Sequence, residues 1–423
     1  MQLTERQTAM LNGEQGETMQ KVMQTLVMYG ECFEAEKMVD VTSDYGHLVT
    51  SFGLSVMTPI YELMDQLIEA DAVSQQQFSV DPRPMDPAVP QNLLEKLVFK
   101  IMYGKQDEYE AQLKELGLKD KNAFTCTMYM DEVGNTPKKG DILSWAESSA
   151  VVFANSVLGA RCNRNSGIIE LFGSIAGCVP YFGLLTDEGR KADWIAEVKT
   201  DKLPEAQLLG SAIGIKVVED IPYIKGLDKF LGTELTDEVK DYLKDMGAAT
   251  ASNGAVGLYH IENLTPEAKE LGDNLLKENV KTYVIDDAEI QRVKDSYPVI
   301  WKNPDAKPKL CFVGCPHLSA GQIEDWYAKL KDALAANGKD KITIPTVFTT
   351  APDVKADVEA RGLVAKLNDL GVIVSSICPL MYMNNPLCAK KPVITCSNKL
   401  RTYSSARYYT EDEITALITG GDI

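Results

Sequence analysis

Apolar positions recur along this chain in two rhythms, and the change from one to the other divides it. Through the first quarter the spacing is mostly helical. Residues 17–29 place Met19, Val22, Met23, Leu26 and Val27 at i, i+3, i+4 and i+7, the stripe of an amphipathic helix. Thr4 and Gln7 stand as a capping box ahead of a first, shorter helix. Residues 59–69, 90–103 and 107–116 predict further helices, and 38–49 reads as strand and loop. The run DPRPMDP at 81–87 holds three prolines, which makes it a rigid loop rather than a regular element.

The middle of the chain is mixed. Residues 122–140 are turn-rich around Cys126. The segment 144–159 begins with polar SWAESS and predicts a helix capped by Ser144, with Glu147 at its third position and a stop at Leu158-Gly159. Residues 168–177 predict a small-residue helix, 205–213 and 237–246 two more with strands around them, and 282–296 a strand followed by a helix. Beyond a proline-bearing linker at 303–308 the second rhythm takes over. Strands at 309–314, 342–348, 371–377 and 392–395 alternate with helices at 319–336, 353–369 and 411–418, the pattern of a doubly wound sheet. The division expected is a mostly helical α/β region over 1–125, a central α/β region over 126–302 and a doubly wound domain over 303–423.

Bulk properties narrow the function classes. A chain of 423 residues suffices for several domains. The net charge of −18 has no basic stripe to offset it, which argues against nucleic acid as a partner. The start is polar, without a signal peptide's apolar core. The longest uncharged run, 171–186, is interrupted by glycine and proline and falls short of the roughly 20 residues a membrane helix needs. The expected location is the cytoplasm. Nine scattered cysteines do not read as a disulfide framework.

The chemistry concentrates at strand ends. The first strand of the doubly wound region closes at Gly314-Cys315-Pro316, where the proline is expected to turn the backbone out. The strand at 371–377 closes in the same way, at Cys378-Pro379. Two thiols then share the carboxyl edge of one sheet, where open α/β folds bind ligands. They are either two buried thiols or part of a metal or iron–sulfur site that needs a further ligand. Cys311 alternates with core residues and reads as core. His317 follows in the same turn as Cys315, whereas His47 and His260 have no evident partners nearby in sequence. No Gly-x-Ser-x-Gly elbow, dinucleotide fingerprint or Walker loop is present. Glu147-Ser148-Ser149 opens a helix, as a cap or as an anion site. Arg161 and Arg164 either fork onto a carboxylate or complement a helix C-terminus. Lys399 sits at the ligand edge of the same sheet as the two Cys-Pro turns.

Taken together, these residues resemble the catalytic large subunit of the aconitase X family, a branch of the aconitase superfamily. The likeness covers nearly the whole chain. It is carried by WAESSAVVFANSVLGARCNR at 145–164, VGCPHLS at 313–319, Cys378-Pro379, residues 397–399, and the opening run at 11–17 with the Met-rich helix after it. The resemblance implies an aconitase-like three-layer α/β/α fold without the swivel domain, and a hydro-lyase acting on a small hydroxycarboxylate. 5-Phosphomevalonate and cis-3-hydroxy-L-proline are the two substrates it brings forward. It implies an iron–sulfur cluster, [4Fe-4S], on Cys126, Cys315 and Cys378 with one iron left open. It places substrate contacts on Glu147, Ser148, Lys399, Pro82 and Arg161, with Lys399 or the arginines at 161 and 164 holding an anionic group. It also implies a separate small swivel-domain subunit that brings the lid and the base. Asp81-Pro82 stands where relatives acting on phosphomevalonate carry Asn-Pro, and a carboxylate there would repel a phosphate. The loop 43–50 also departs from the family, while the turn at 161–165 is closer to the phosphomevalonate branch. A non-catalytic binding protein of the same fold and a structural zinc protein are the rival readings.

Overall fold

A computed structural model describes residues 1–421. Its C-terminal part is built on a five-stranded parallel sheet. In spatial order the strands are Val372–Ser375, Thr346–Thr350, Leu310–Leu318, Val393–Thr395 and Arg407–Tyr408. The first strand in sequence lies at the centre, the next two add on one side and the last two on the other. The direction of winding therefore reverses between Leu310–Leu318 and Val393–Thr395, and the crevice at such a reversal is where open sheets take their ligands.

Side-chain alternation along the central strand divides the core. Cys311 and Val313 face helices Ala320–Ala336, Pro352–Ala360, Leu363–Leu370 and Glu411–Thr419. Leu310 and Phe312 face the other way, against Tyr382, Leu400 and, from far earlier in the chain, Phe99 and Tyr103. Helix Leu93–Met102 thus helps cover the second face of a sheet more than 200 residues away, giving three layers. The helix expected at 353–369 is two helices, because Gly362 adopts φ +74° and caps a new start. Pro316 does not end the central strand, which runs on to Leu318 with a register shift against Thr346–Thr350. Gly314 occupies that irregularity at φ +104°, and a Cβ there would meet the Thr349 carbonyl oxygen at 2.3 Å.

A second parallel sheet, in the order His260–Ile261, Pro222–Lys225, Ala192–Val198, Leu276–Ile285, has the same winding. Helix Ala206–Val217 packs beside it on Asp237–Asn253, which runs seven residues past the expected end at 246. The extension GAATASN is all small, and Gly210 and Gly214 leave room for the facing backbone of Met246 and Thr250. Close contact over that stretch stabilises helix that local propensity alone would not hold.

The N-terminal helices Glu5–Leu11 and Glu17–Cys32 bury Met10, Met19, Met23 and Leu26, and the capping box at Thr4 and Gln7 is present. Helix Gly167–Ala176 joins this cluster through Leu171 and Ile175. The same helix buries Glu170 to 1% exposure between the Ser144 hydroxyl and the Asn165 amide, at 2.7 Å each. Burial pushes its carboxyl up to about 8. A folded-state pKa above the unfolded value means stability that is complete below about pH 4.5 and lost as the pH rises toward 8. Glu170→Gln is therefore expected to stabilise the protein by ~2–4 kcal/mol at pH 8.5 and not at pH 4, read from urea unfolding at both values. A variant whose advantage is the same at both would contradict this.

Candidate active site

Three segments converge on the carboxyl edge of the five-stranded sheet. Cys315 lies on the central strand itself. Cys378 caps the short helix Pro379–Met383 just past Val372–Ser375. Cys126 arrives from outside the sheet. Strand Phe78–Val80 draws it in, since the Val80 N–H donates to Ala123 O and the Thr125 N–H to Val80 O, both at 2.8 Å. The proline-rich loop that follows this strand is the joint between the segments. The Cys378 N–H donates to Arg83 O at 2.8 Å, and the Arg83 guanidinium grips Glu110 through two 2.8 Å bonds while lying over the Phe124 ring. A loop with φ fixed at its prolines is suited to that task.

Cys126, Cys315 and Cys378 line one cavity of about 250 Å³, together with Asp81, Pro82, Glu147, Ser148, His317, Lys399 and Tyr403. Seven of the eight site residues named from sequence are in this wall; the eighth, Arg161, is not. Its guanidinium donates to Leu185 O at 2.7 Å and pairs with Asp187, so it holds a turn rather than facing the cavity. Cys311 belongs to the apolar core on the other face of the sheet. A larger cleft of about 860 Å³ lies elsewhere. It carries no thiol, and its carboxylates outnumber its cationic side chains Lys240, Lys244, Lys329 and Arg361, which disfavours an anionic substrate.

Inside the cavity the charges are organised around Lys399. It rides on helix Asn398–Tyr403, whose start is fixed by the Ser397 cap and by Asn398 bonding both ends of Gln207, from its N–H to the side-chain oxygen and from its amide to Gln207 O. Its ammonium pairs with Glu147 Oε1 and donates to Ser149 Oγ at 3.3 Å. Burial alone would favour the neutral amine; the Glu147 carboxylate outweighs it and holds Lys399 charged. Burial likewise opposes the Glu147 carboxylate, but Lys399 keeps its pKa low. Glu147, not Ser144, is the helix cap here, accepting from the Ala150 N–H at 2.8 Å and the Ser149 hydroxyl at 2.7 Å. Ser144 lies before the helix, in extended chain, its hydroxyl committed to Glu170. The expected single helix is Ser148–Phe153 followed by a wider turn, Ala154–Leu158.

Sequence reasoning gave His47 no partner, yet it forms a buried relay. Strands Gly46–Leu48 and Phe78–Val80 pair in parallel with His47 opposite Ser79. His47 Nδ1 lies 2.9 Å from Ser79 Oγ and Nε2 lies 3.2 Å from Asp81 Oδ1. Burial raises the Asp81 pKa, with the His47 hydrogen bond opposing it. This His47–Asp81 contact lies at the cavity wall, where Asp81 faces the three thiols. His260 is also partnered, by Arg190 O and Glu267, away from this site.

The donor set can be tested against a cluster. All nine cysteines are free thiols. Among the described residues no three His, Cys, Asp or Glu side chains converge closely enough to hold one metal ion. The three thiols instead line one cavity, and three thiolates are a donor set that an iron–sulfur group accepts. Burial pushes the Cys315 thiol up to about 11 and raises Cys126 and Cys378 well above the ordinary thiol range, so thiolates here need metal cations to balance them.

The chain is similar to known proteins over most of its length. Three family models match in order: aconitase X first domain over residues 1–188, second domain over 173–295 and third domain over 308–415. The phosphomevalonate dehydratase large subunit of Thermococcus kodakarensis is 30% identical over 368 residues, 86% of this chain and 84% of that one. The cis-3-hydroxy-L-proline dehydratase of Pseudomonas aeruginosa is 29% identical over 292 residues, 67% of this chain and 47% of that longer protein. The crystal structure of Thermococcus kodakaraensis aconitase X in its holo form matches with a TM-score of 0.80 and 27% identity, covering 98% of this chain and 99% of that one. No helix among the described residues is long and apolar enough to cross a membrane.

Proposed function

This chain belongs to the aconitase X family, whose curated relatives are dehydratases, and on that premise we propose that it is the large subunit of an iron–sulfur-dependent hydro-lyase acting on a small hydroxycarboxylate. The observation that carries the reading is the meeting of Cys126, Cys315 and Cys378, from three distant segments, around one cavity that also holds Lys399 and Asp81. These three thiols would hold the cluster. When bound, a cluster with an iron free of protein ligands supplies a Lewis acid for the departing hydroxyl.

The chain's own residues bind and position the substrate. Among the described residues Lys399 is the only cationic side chain in the cavity wall, so it takes the substrate carboxylate in place of part of its pairing with Glu147. Glu147 and Ser149 fix the ammonium so that it meets the carboxylate without reorganising. Ser148, half-buried at the first position of the helix, adds a hydroxyl to the same wall. Asp81, backed by His47, sets a carboxyl in the same wall that can pass a proton to the leaving hydroxyl. Pro82 shapes the wall beside it. The anion-holding role falls to Lys399 rather than Arg161.

The base that removes the proton beside the carboxylate is assigned to a small partner subunit, since the relatives of matching length are named as large subunits. Nine free thiols suit a reducing cytoplasm. The test is an anaerobic dehydration assay by NMR with the reconstituted chain, alone and with a co-expressed small subunit. The substrates are 5-phosphomevalonate and cis-3-hydroxy-L-proline. Water loss from one of them, dependent on the partner, is the expected result. No turnover of any hydroxycarboxylate by the loaded complex would overturn the proposal.

A further inference from the structure

One imidazole touches all three cysteine-bearing segments. His317 stands two residues after Cys315, in the same strand. Its Nδ1 lies 3.0 Å from the hydroxyl of Thr125, the neighbour of Cys126. Its Nε2 lies 3.1 Å from the carbonyl oxygen of Ile377, the neighbour of Cys378. The ring is fully buried. A carbonyl oxygen only accepts, so Nε2 carries the hydrogen, and Nδ1 of the neutral ring accepts from the Thr125 hydroxyl. That hydroxyl is itself oriented, because its oxygen also takes the Thr127 N–H at 3.1 Å. The Lys244 ammonium donates to His317 O at 3.1 Å and fixes the backbone behind the ring.

We propose that His317 is a positioning residue, a brace that sets the spacing of the three thiol segments and so presets the cradle for the cluster. Both ring nitrogens are committed, one as donor and one as acceptor, so neither has a lone pair to give to iron. His317 lines the cavity as a strut and not as a fourth ligand. The reason a histidine is required is its shape: a rigid ring offers a donor and an acceptor on opposite sides, and spans a hydroxyl and a carbonyl on two other segments at once. The inference rests on the cluster reading of the three thiols, and its test separates the two.

The first measurement uses the cluster-free protein. With three histidines in the chain, ¹⁵N-histidine labelling gives few signals, and the set missing from His317→Ala belongs to His317. The Nε2–H tautomer is expected; an Nδ1–H or exchanging ring overturns the brace whether or not a cluster binds. The second measurement follows loss of iron to a chelator after anaerobic reconstitution, together with the visible circular dichroism of the cluster. His317→Ala and Thr125→Val are expected to release iron on the order of ten-fold faster than the parent, the usual scale for an outer hydrogen-bond partner. His317→Asn or His317→Gln, which keep one of the two bonds, should recover part of that loss. His260→Ala, a change at an equally buried histidine outside the site, should leave the release rate of the folded protein unchanged. Release from both His317→Ala and Thr125→Val at the parent's rate overturns the brace. If His317→Ala does not fold, Thr125→Val decides the matter alone. A parent that takes up no iron contradicts the cluster reading, and the tautomer then judges the brace by itself.

Discussion

Cys315→Ser is expected to lose most of its iron and to drop in dehydratase activity by ~10³-fold, the several kcal/mol that a Lewis acid supplies. The protein should stay folded and soluble. The thiol stands at the cavity wall, and the surrounding frame is held by backbone pairing with Thr346–Thr350 and Val393–Thr395. Serine keeps the shape but offers a harder, less acidic donor that does not hold iron as thiolate does. Cys126→Ser and Cys378→Ser should behave alike. Cys311→Ser is the contrast, four residues along the same strand but in the apolar core on its other face. It places a hydroxyl among apolar side chains and should cost ~1–3 kcal/mol of stability. Iron bound per folded chain should be unchanged. Iron analysis on monodisperse protein, with unfolding curves beside it, reads both effects. Equal iron loss in Cys311→Ser and Cys315→Ser would mean that the loss reports fold damage and not ligation.

Lys399→Met carries the second large effect. The lysine and Glu147 side chains are 8% and 5% exposed, so removing the ammonium strands a buried carboxylate. Breaking such a pair from one side costs about 3–5 kcal/mol. Turnover should fall by ~10³-fold as well if Lys399 holds the substrate carboxylate as proposed, since no other cationic side chain among the described residues lines the cavity. Stability and catalysis are separable through the double variant. Glu147→Gln with Lys399→Met removes both charges, so most of the lost stability should return while activity does not. If the double variant remained as unstable as the single one, the pair would not be the source of the cost. If Lys399→Met kept full turnover, the lysine would have no part in binding substrate.

What could be read from the sequence was local. The stripe at Met19, Val22, Met23 and Leu26, the Thr4–Gln7 capping box and the strand–helix alternation after residue 308 depend on neighbours within a turn or two, and they stand in the structure. Cys311 read as core because alternation along a strand is itself a local signal. The failures share a cause. Ser144 and Glu147 both fit the pattern of a helix cap, and the choice was made by Glu170, which captures the Ser144 hydroxyl from another helix. Pro316 looked like a strand end, but Gly314 absorbs the irregularity and lets the strand continue. The helix expected to end at 246 continues because a facing helix is glycine-rich.

The site is the extreme case. His47 meets Asp81 only through the pairing of two short parallel strands, and Lys399 meets Glu147 across 252 positions. No periodicity encodes such contacts. Family resemblance named the three cysteines, but composition and spacing alone had offered only two thiols at strand ends. Arg161 shows the converse, since a cationic turn attractive in sequence is occupied by Leu185 O and Asp187.

Iron and acid-labile sulfide per chain, measured with the visible spectrum after anaerobic reconstitution, decide whether the three thiols hold a cluster. A brown protein is expected that binds both iron and sulfide, loses both when Cys126, Cys315 or Cys378 is replaced, and bleaches in air. A colourless protein without iron, or one binding a single stoichiometric zinc, would contradict it.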